Sequence, residues 1–243
     1  MTSPLEEPLP PPSRAGGVDW SVPAEWAPDL LKSRVYARIL LDVILGVLPP
    51  GERLDEQDLC RRYGAGLAGV RDALGRLALE GLVTRKARSG TTVAPLDLAE
   101  VRQAFEACRL IEPHCAALAA HHATAEDLAS LRGVFEGAEA AVRRRDARAL
   151  VAMDQHFHAA VAGAGHNAIL ARLVIPLQHR VARFWVFTLP GDSEDQRLVE
   201  IAHHIAVIDC IARRDAEGAR ATMLAVLGAP EILERTAAAH GAA

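Results

Sequence analysis

Residues 66–93 read GLAGVRDALGRLALEGLVTRKARSGTTV. From Ala68 to Glu80 the apolar Val70, Ala73, Leu74 and Leu77 recur at helical spacing and share one face, and Gly81 supplies a C-terminal stop. Beyond it Leu82-Val83-Thr84-Arg85 and Thr91-Thr92-Val93 alternate like two strands around Lys86-Ala87-Arg88-Ser89-Gly90. Working back towards the N-terminus, Asp55 is placed to cap a short helix ending near Tyr63-Gly64, with Asp58 three residues on. Earlier still, Val35, Ile39, Val43 and Val47 lie at i+4 steps, with Leu40 and Ile44 widening the stripe, until Pro49-Pro50-Gly51 stops it. Three helices followed by a basic hairpin within residues 30–95 is the order of a winged helix-turn-helix.

The remainder reads differently. Pro95 and Leu96-Asp97-Leu98 mark a boundary, after which no convincing strand occurs. Long amphipathic stretches are punctuated by Thr124, Asp146, Gly163-Ala164-Gly165, Pro176, Pro190-Gly191-Asp192, Asp215 and Gly228. This predicts six or seven helices in one antiparallel bundle, and a mainly α fold. The predicted organisation is an arm over 1–29, a winged helix-turn-helix over 30–95, an all-helical domain over 96–235 and a tail over 236–243. The arm contains seven prolines, with Trp20 and Trp26 able to anchor it.

Composition agrees. Half of the 243 residues are apolar and 24% charged, which excludes a wholly disordered chain, and aromatics at 4% imply an aliphatic core suited to packed helices. The longest apolar stretch, Val35 to Leu48, is interrupted by Arg38 and Asp42, short of the roughly 20 apolar residues of a membrane span. Met1 to Pro12 carries Glu6 and Glu7 and no apolar core of a signal peptide, so a cytoplasmic location is expected. Cys60, Cys108, Cys115 and Cys210 form no C-x-x-C pair and read as reduced thiols. Residues 30–95 hold eleven Lys/Arg against seven acids, whereas residues 96–243 hold fifteen against nineteen. A basic segment joined to an acidic one is a weak nucleic-acid signal.

The second half also carries candidate ligands. Asp154 and His158 are spaced i,i+4, so on a helix both reach one ion, and an imidazole with a carboxylate suits Zn²⁺, Ni²⁺ or Mn²⁺ better than Ca²⁺. Arg109, Arg180 and Arg183 are candidate contacts for an acidic effector, since a carboxylate in a bundle cavity calls for a fork-shaped cation. An intrahelical salt bridge between Arg109 and Glu112 is the alternative for the first. Phe184-Trp185-Val186-Phe187 is expected at a cavity or helix interface, and Arg143-Arg144-Arg145 at a solvated helix end.

Taken together these motifs resemble the GntR transcription regulators, in the FadR-like branch with an FCD effector domain. The resemblance runs from residue 30 to 235. It rests on Leu48-Pro49-Pro50-Gly51-Glu52-Arg53-Leu54, Val70-Arg71-Asp72-Ala73-Leu74, Arg76-Leu77, Glu80-Gly81-Leu82-Val83 and the wing Arg85 to Val93. In the helical half it rests on Arg109-Leu110-Ile111-Glu112-Pro113, Asp154-Gln155-His156-Phe157-His158, and His204 ahead of Ile211-Ala212-Arg213-Arg214-Asp215-Ala216-Glu217. It implies DNA contacts by Arg53 and Arg71, with Arg85, Lys86, Arg88 and Gly90 of the wing reaching the backbone or minor groove. It also implies a metal held by Asp154, His158 and His204, with a fourth ligand expected at position 226, where this chain has Val226; the alternative for the three is a hydrogen-bonded polar cluster in a metal-free pocket. His203, His156 and His179 are conceivable substitutes.

A second departure is Gly66-Leu67-Ala68-Gly69, which stands where relatives carry S-R-T-P. The N-cap hydroxyl, with a value of about 1 kcal/mol, and a DNA-contacting arginine are both missing. The resemblance implies a homodimeric, ligand-responsive regulator, a repressor, that binds a palindromic DNA operator and senses a small organic acid. The alternative, motivated by the two departures, is an enzyme or small-molecule-binding protein repurposed from this fold.

Overall fold

The computed structural model describes residues 30–86, 90–188 and 193–228. Trp20, Trp26 and Arg88 lie outside these. The chain divides into two compact units between Leu96 and Asp97.

In the first unit, α1 (Leu31–Ile44), α2 (Glu56–Tyr63) and α3 (Leu67–Leu79) precede a sheet of β1 (Arg53–Leu54), β2 (Val83–Lys86) and β3 (Gly90–Val93). The sheet is antiparallel in the order β1-β3-β2, with Arg53 opposite Thr92 and Lys86 opposite Gly90. The expected apolar faces form the core: Val35, Ile39, Leu40 and Ile44 of α1 are buried with Val70, Ala73, Leu74 and Leu77 of α3. Val47 does not join that stripe. Gly46 adopts φ +70° just after α1 ends, so the chain turns away and leaves Val47 half exposed. Asp55 caps α2 by accepting from the backbone N–H of Gln57 and Asp58, while the Asp58 side chain accepts from Arg61. Gly64 closes the helix in the left-handed region at φ +59°. Two buried acids tie the helices together: Asp42 accepts from Arg62 and Tyr63, and Glu80 accepts from Tyr36 and Arg76.

The second unit is helical throughout its described residues. Its elements are α4 (Leu98–His122), α5 (Ala125–Gly133), α6 (Ala138–Arg144), α7 (Ala147–Ala164), α8 (Ala168–Thr188), α9 (Glu194–Ala212) and α10 (Ala216–Val226). Asp97, Thr124, Asp146, Ser193 and Asp215 cap α4, α5, α7, α9 and α10 in turn with their side chains. Pro176 was expected as a break, yet α8 runs through it, as α4 runs through Pro113. Proline removes one helical hydrogen bond, and packing on both sides carries the helix past the gap: Val174, Gln178 and His179 are buried. Around a core of Phe105, Ala116, Phe157, Val161, Val207 and Met223 the long helices leave one cavity wall that α4, α7, α8, α9 and α10 share. Arg143 and Arg144 form the exposed basic end of α6, as expected. Cys108, Cys115 and Cys210 are buried thiols and Cys60 is half-buried.

Candidate functional site

In the second unit Asp154 and His158 project from α7 towards His204 of α9. Asp154 Oδ1 lies 3.7 Å from His158 Nε2 and 3.4 Å from His204 Nε2, and one ligand atom from each residue lies within 4.8 Å of the others. Ligands on a tetrahedron with arms of 2.0–2.1 Å stand about 3.3 Å apart, so the three need little movement to share one ion.

Both imidazoles are oriented from behind. His158 Nδ1 meets Glu112 Oε2 of α4, and the other Glu112 oxygen accepts from Gln178 Nε2 of α8. His204 Nδ1 donates to the Glu200 carbonyl at 2.7 Å. A ring whose Nδ1 holds the proton offers the Nε2 lone pair to an ion, and the His204 Nε2 atom is buried with no hydrogen-bond partner. Phe157 stands edge-on to both rings, at 5.1 Å from His158 and 4.8 Å from His204, and Phe135 flanks His204 at 5.5 Å. Burial disfavours a charged Asp154, but the neighbouring imidazoles of His158 and His204 outweigh it and hold the carboxyl well below the ordinary range. Burial likewise disfavours a protonated His158, but the charge of Glu112, with Asp154 behind it, raises its pKa.

The triad lies on the wall of a cavity of about 350 Å³, a volume within the range of small-molecule sites. Val226 and His203 also line it, whereas His156 and His179 do not. Among the described residues the metal-competent group is the triad alone. Trp185 lines the cavity and Phe184 is buried beside it, at 5.6 Å between rings.

The three arginines expected to meet an effector do not line this cavity. The Arg109 guanidinium donates instead to the carbonyls of Leu224 and Gly228 at the end of α10, where unpaired carbonyls draw a cation. It turns away from Glu112, so the alternative intrahelical bridge does not form either. Arg183 is buried on α8; burial, then the neighbouring Arg180, lowers its pKa against an opposing pull from Glu100. The arginine on the cavity wall is Arg197 of α9, two turns before His204. Its spacing from His204, i to i+7, was the available signal, and for Glu112 it was its place in the motif Arg109-Leu110-Ile111-Glu112-Pro113.

In the first unit the structure groups the basic residues in two sets. Glu56 at the start of α2 accepts from Arg71 Nε at 2.8 Å and faces Arg85 Nη2 at 3.7 Å, so one carboxylate joins α3 to the wing. Arg53 lies over Gly90, its guanidinium 3.6–4.0 Å from the place a Cβ would occupy there, and Gly90 takes φ +90°. Lys86 is exposed. Gly66 is the N-cap residue of α3 and makes no side-chain cap, as its sequence requires.

Comparison with known proteins bears on both units. Residues 31–93 match the model of bacterial regulatory proteins of the gntR family, and residues 100–229 match the FCD domain. The chain belongs to the GntR family, in its FCD-bearing group. This GntR regulator is 28% identical over 205 residues to the HTH-type transcriptional regulator LutR of Bacillus subtilis, covering 75% of this chain and 91% of that protein. It is 24% identical over 214 residues to the galactonate operon transcriptional repressor of Escherichia coli, covering 80% of this chain and 92% of that one. Its fold is similar to that of E. coli McbR/YncC, with a TM-score of 0.75 at 21% identity over 85% of this chain and 98% of that chain. The protein is a transcriptional regulator, and the alternative of a repurposed enzyme is set aside. No helix among the described residues is long and apolar enough to cross a membrane.

Proposed function

We propose that this GntR regulator is a homodimeric repressor that releases a palindromic operator when a small organic acid enters the helical domain. The observation that carries the reading is the cavity with Asp154, His158 and His204 on its wall. The donor set fits a divalent transition metal such as Zn²⁺, Ni²⁺ or Mn²⁺: two imidazoles with fixed tautomers, one carboxylate and a buried unpartnered nitrogen. Three protein ligands leave a coordination position for water or effector, and a bound ion would supply a Lewis-acidic anchor for a carboxylate. Val226 makes the set one ligand short of the family's four.

The chain's own residues do the rest. Arg53, Arg71, Arg85, Lys86, Arg88 and Gly90 meet DNA, with Arg71 nearest the start of α3 and the wing on the backbone. The effector acts through differential affinity for the operator-bound and released states. Arg109 contributes by holding the end of α10 and the two residues after it, since residues 225–228 line the cavity; Arg180 and Arg183 set positive charge on α8. Selection of bound fragments from a genomic DNA pool at physiological salt tests the reading. An enriched palindrome, released by an acid, supports it; no enrichment at micromolar protein overturns it. Elemental analysis of protein purified without chelator should find up to one equivalent of metal, lost in His158→Ala.

A further inference from the structure

The proposed sensing of an organic acid leaves the body of that acid unspecified, and the cavity walls address it. Along α9, Arg197, Glu200 and His204 share one helical face, and with Asp154 and His158 they supply most of the ionisable lining. The walls from α4, α8 and α10 are of another kind. Phe105, Val181, Ala182 and Val226 line the cavity and carry no side-chain donor or acceptor, Gln178 donates to Glu112, and the Trp185 ring stands against Phe105 at 6.3 Å between centroids. Val226 carries the apolar wall onto α10.

Two classes of acid fit such walls poorly. A polyhydroxylated acid would bring hydroxyls out of water against side chains that cannot pair with them. A second carboxylate, away from Arg197, would leave water for walls of α4, α8 and α10 that present no cation to the cavity. We infer that the effector is a monocarboxylic acid with an apolar body, aromatic or branched aliphatic, its carboxylate at the Arg197 and triad side and its body against Phe105, Val181 and Val226. This rests on the reading of the cavity as an effector site.

The test uses full-length protein with and without one equivalent of Zn²⁺, titrated calorimetrically with phenylacetate, phenylacetamide, gluconate and succinate. Phenylacetate is expected to bind the zinc-loaded protein at least about tenfold more tightly than the other three. Gluconate or succinate binding as well as phenylacetate overturns the inference, as does the absence of phenylacetate binding to zinc-loaded protein. Phenylacetamide binding as tightly as phenylacetate overturns the carboxylate assignment. If zinc is not retained but the preference for phenylacetate persists, the inference stands and the metal assignment falls. Val226→Thr keeps the shape of the half-buried side chain and adds a hydroxyl; it should lower the phenylacetate-to-gluconate affinity ratio severalfold, and an unchanged ratio overturns the role given to this wall.

Discussion

Glu112 has both carboxylate oxygens engaged, one by His158 and one by Gln178, and it is 1% exposed. Glu112→Gln keeps its shape but leaves one acceptor for the two groups that Glu112 meets and removes the negative charge behind His158. Zinc affinity, measured by competition with a chelating dye, should fall 10–100-fold with the circular dichroism spectrum retained; unchanged affinity would remove Glu112 from the outer shell. A second residue-scale expectation concerns α3. Gly69 lies within the helix, and a Cβ there would meet only the Lys32 Cα at 4.0 Å. Gly69→Ala should therefore stabilise the first unit by about 0.5–1 kcal/mol. Both of the chain's tyrosines, Tyr36 and Tyr63, lie in this unit, so tyrosine difference absorption in urea follows its unfolding. Gly66 costs less than the full loss of a cap implies, because glycine at an N-cap falls only a few tenths of a kcal/mol below serine. Asp154 and His158 could be paired from sequence because four residues on a helix bring side chains together; His204 came from the resemblance. Glu112 and Arg197 were missed as site residues because their partners are distant in sequence or meet only across a cavity.

Among the elements, α5 offers a test with a defined pH sign. Thr124 and Asp127 form a reciprocal capping box, and Asp127 Oδ2 also lies 2.9 Å from His166 Nε2. Burial works against the Asp127 carboxylate, but the backbone and side-chain hydrogen bonds of Thr124, then His166, lower its pKa below the ordinary 3.8. The folded value is thus below the unfolded one. Its contribution is fully present above about pH 4 and is lost as pH falls through the depressed folded value. Asp127→Asn should cost about 1 kcal/mol near pH 6, with the gap to wild type closing in acid; a gap constant from pH 6 to pH 2 would contradict the assignment. The helices of both units were legible because capping residues and apolar stripes are local. The two-residue β1 was not, since Arg53-Leu54 is too short to show alternation and exists only through pairing with β3. Pro176 misled for the complementary reason: tertiary packing overrides a local breaker.

For the molecule as a whole, the change from a short-helix, hairpin-bearing segment to uninterrupted helical periodicity carried the division of the chain, and the motif order carried the family. The cavity could not be read that way, since five helices contribute to it. The carboxylate of Glu56 has a consequence for how the protein meets DNA. Arg71 and Arg85 share one internal counterion, which offsets one of their two charges. If both pass to phosphates, as proposed, Glu56 is left bare and must recruit a cation from solution while the duplex releases its own. The net number of ions expelled is then smaller than the number of arginines engaged. Glu56→Gln should tighten binding to random-sequence DNA and steepen the dependence of log K on log salt by up to about one unit, as read by fluorescence anisotropy between 50 and 200 mM salt. An identical slope would mean that the two arginines keep their carboxylate when DNA is bound, and that the start of α2 travels into the complex as a fixed part of the reading head.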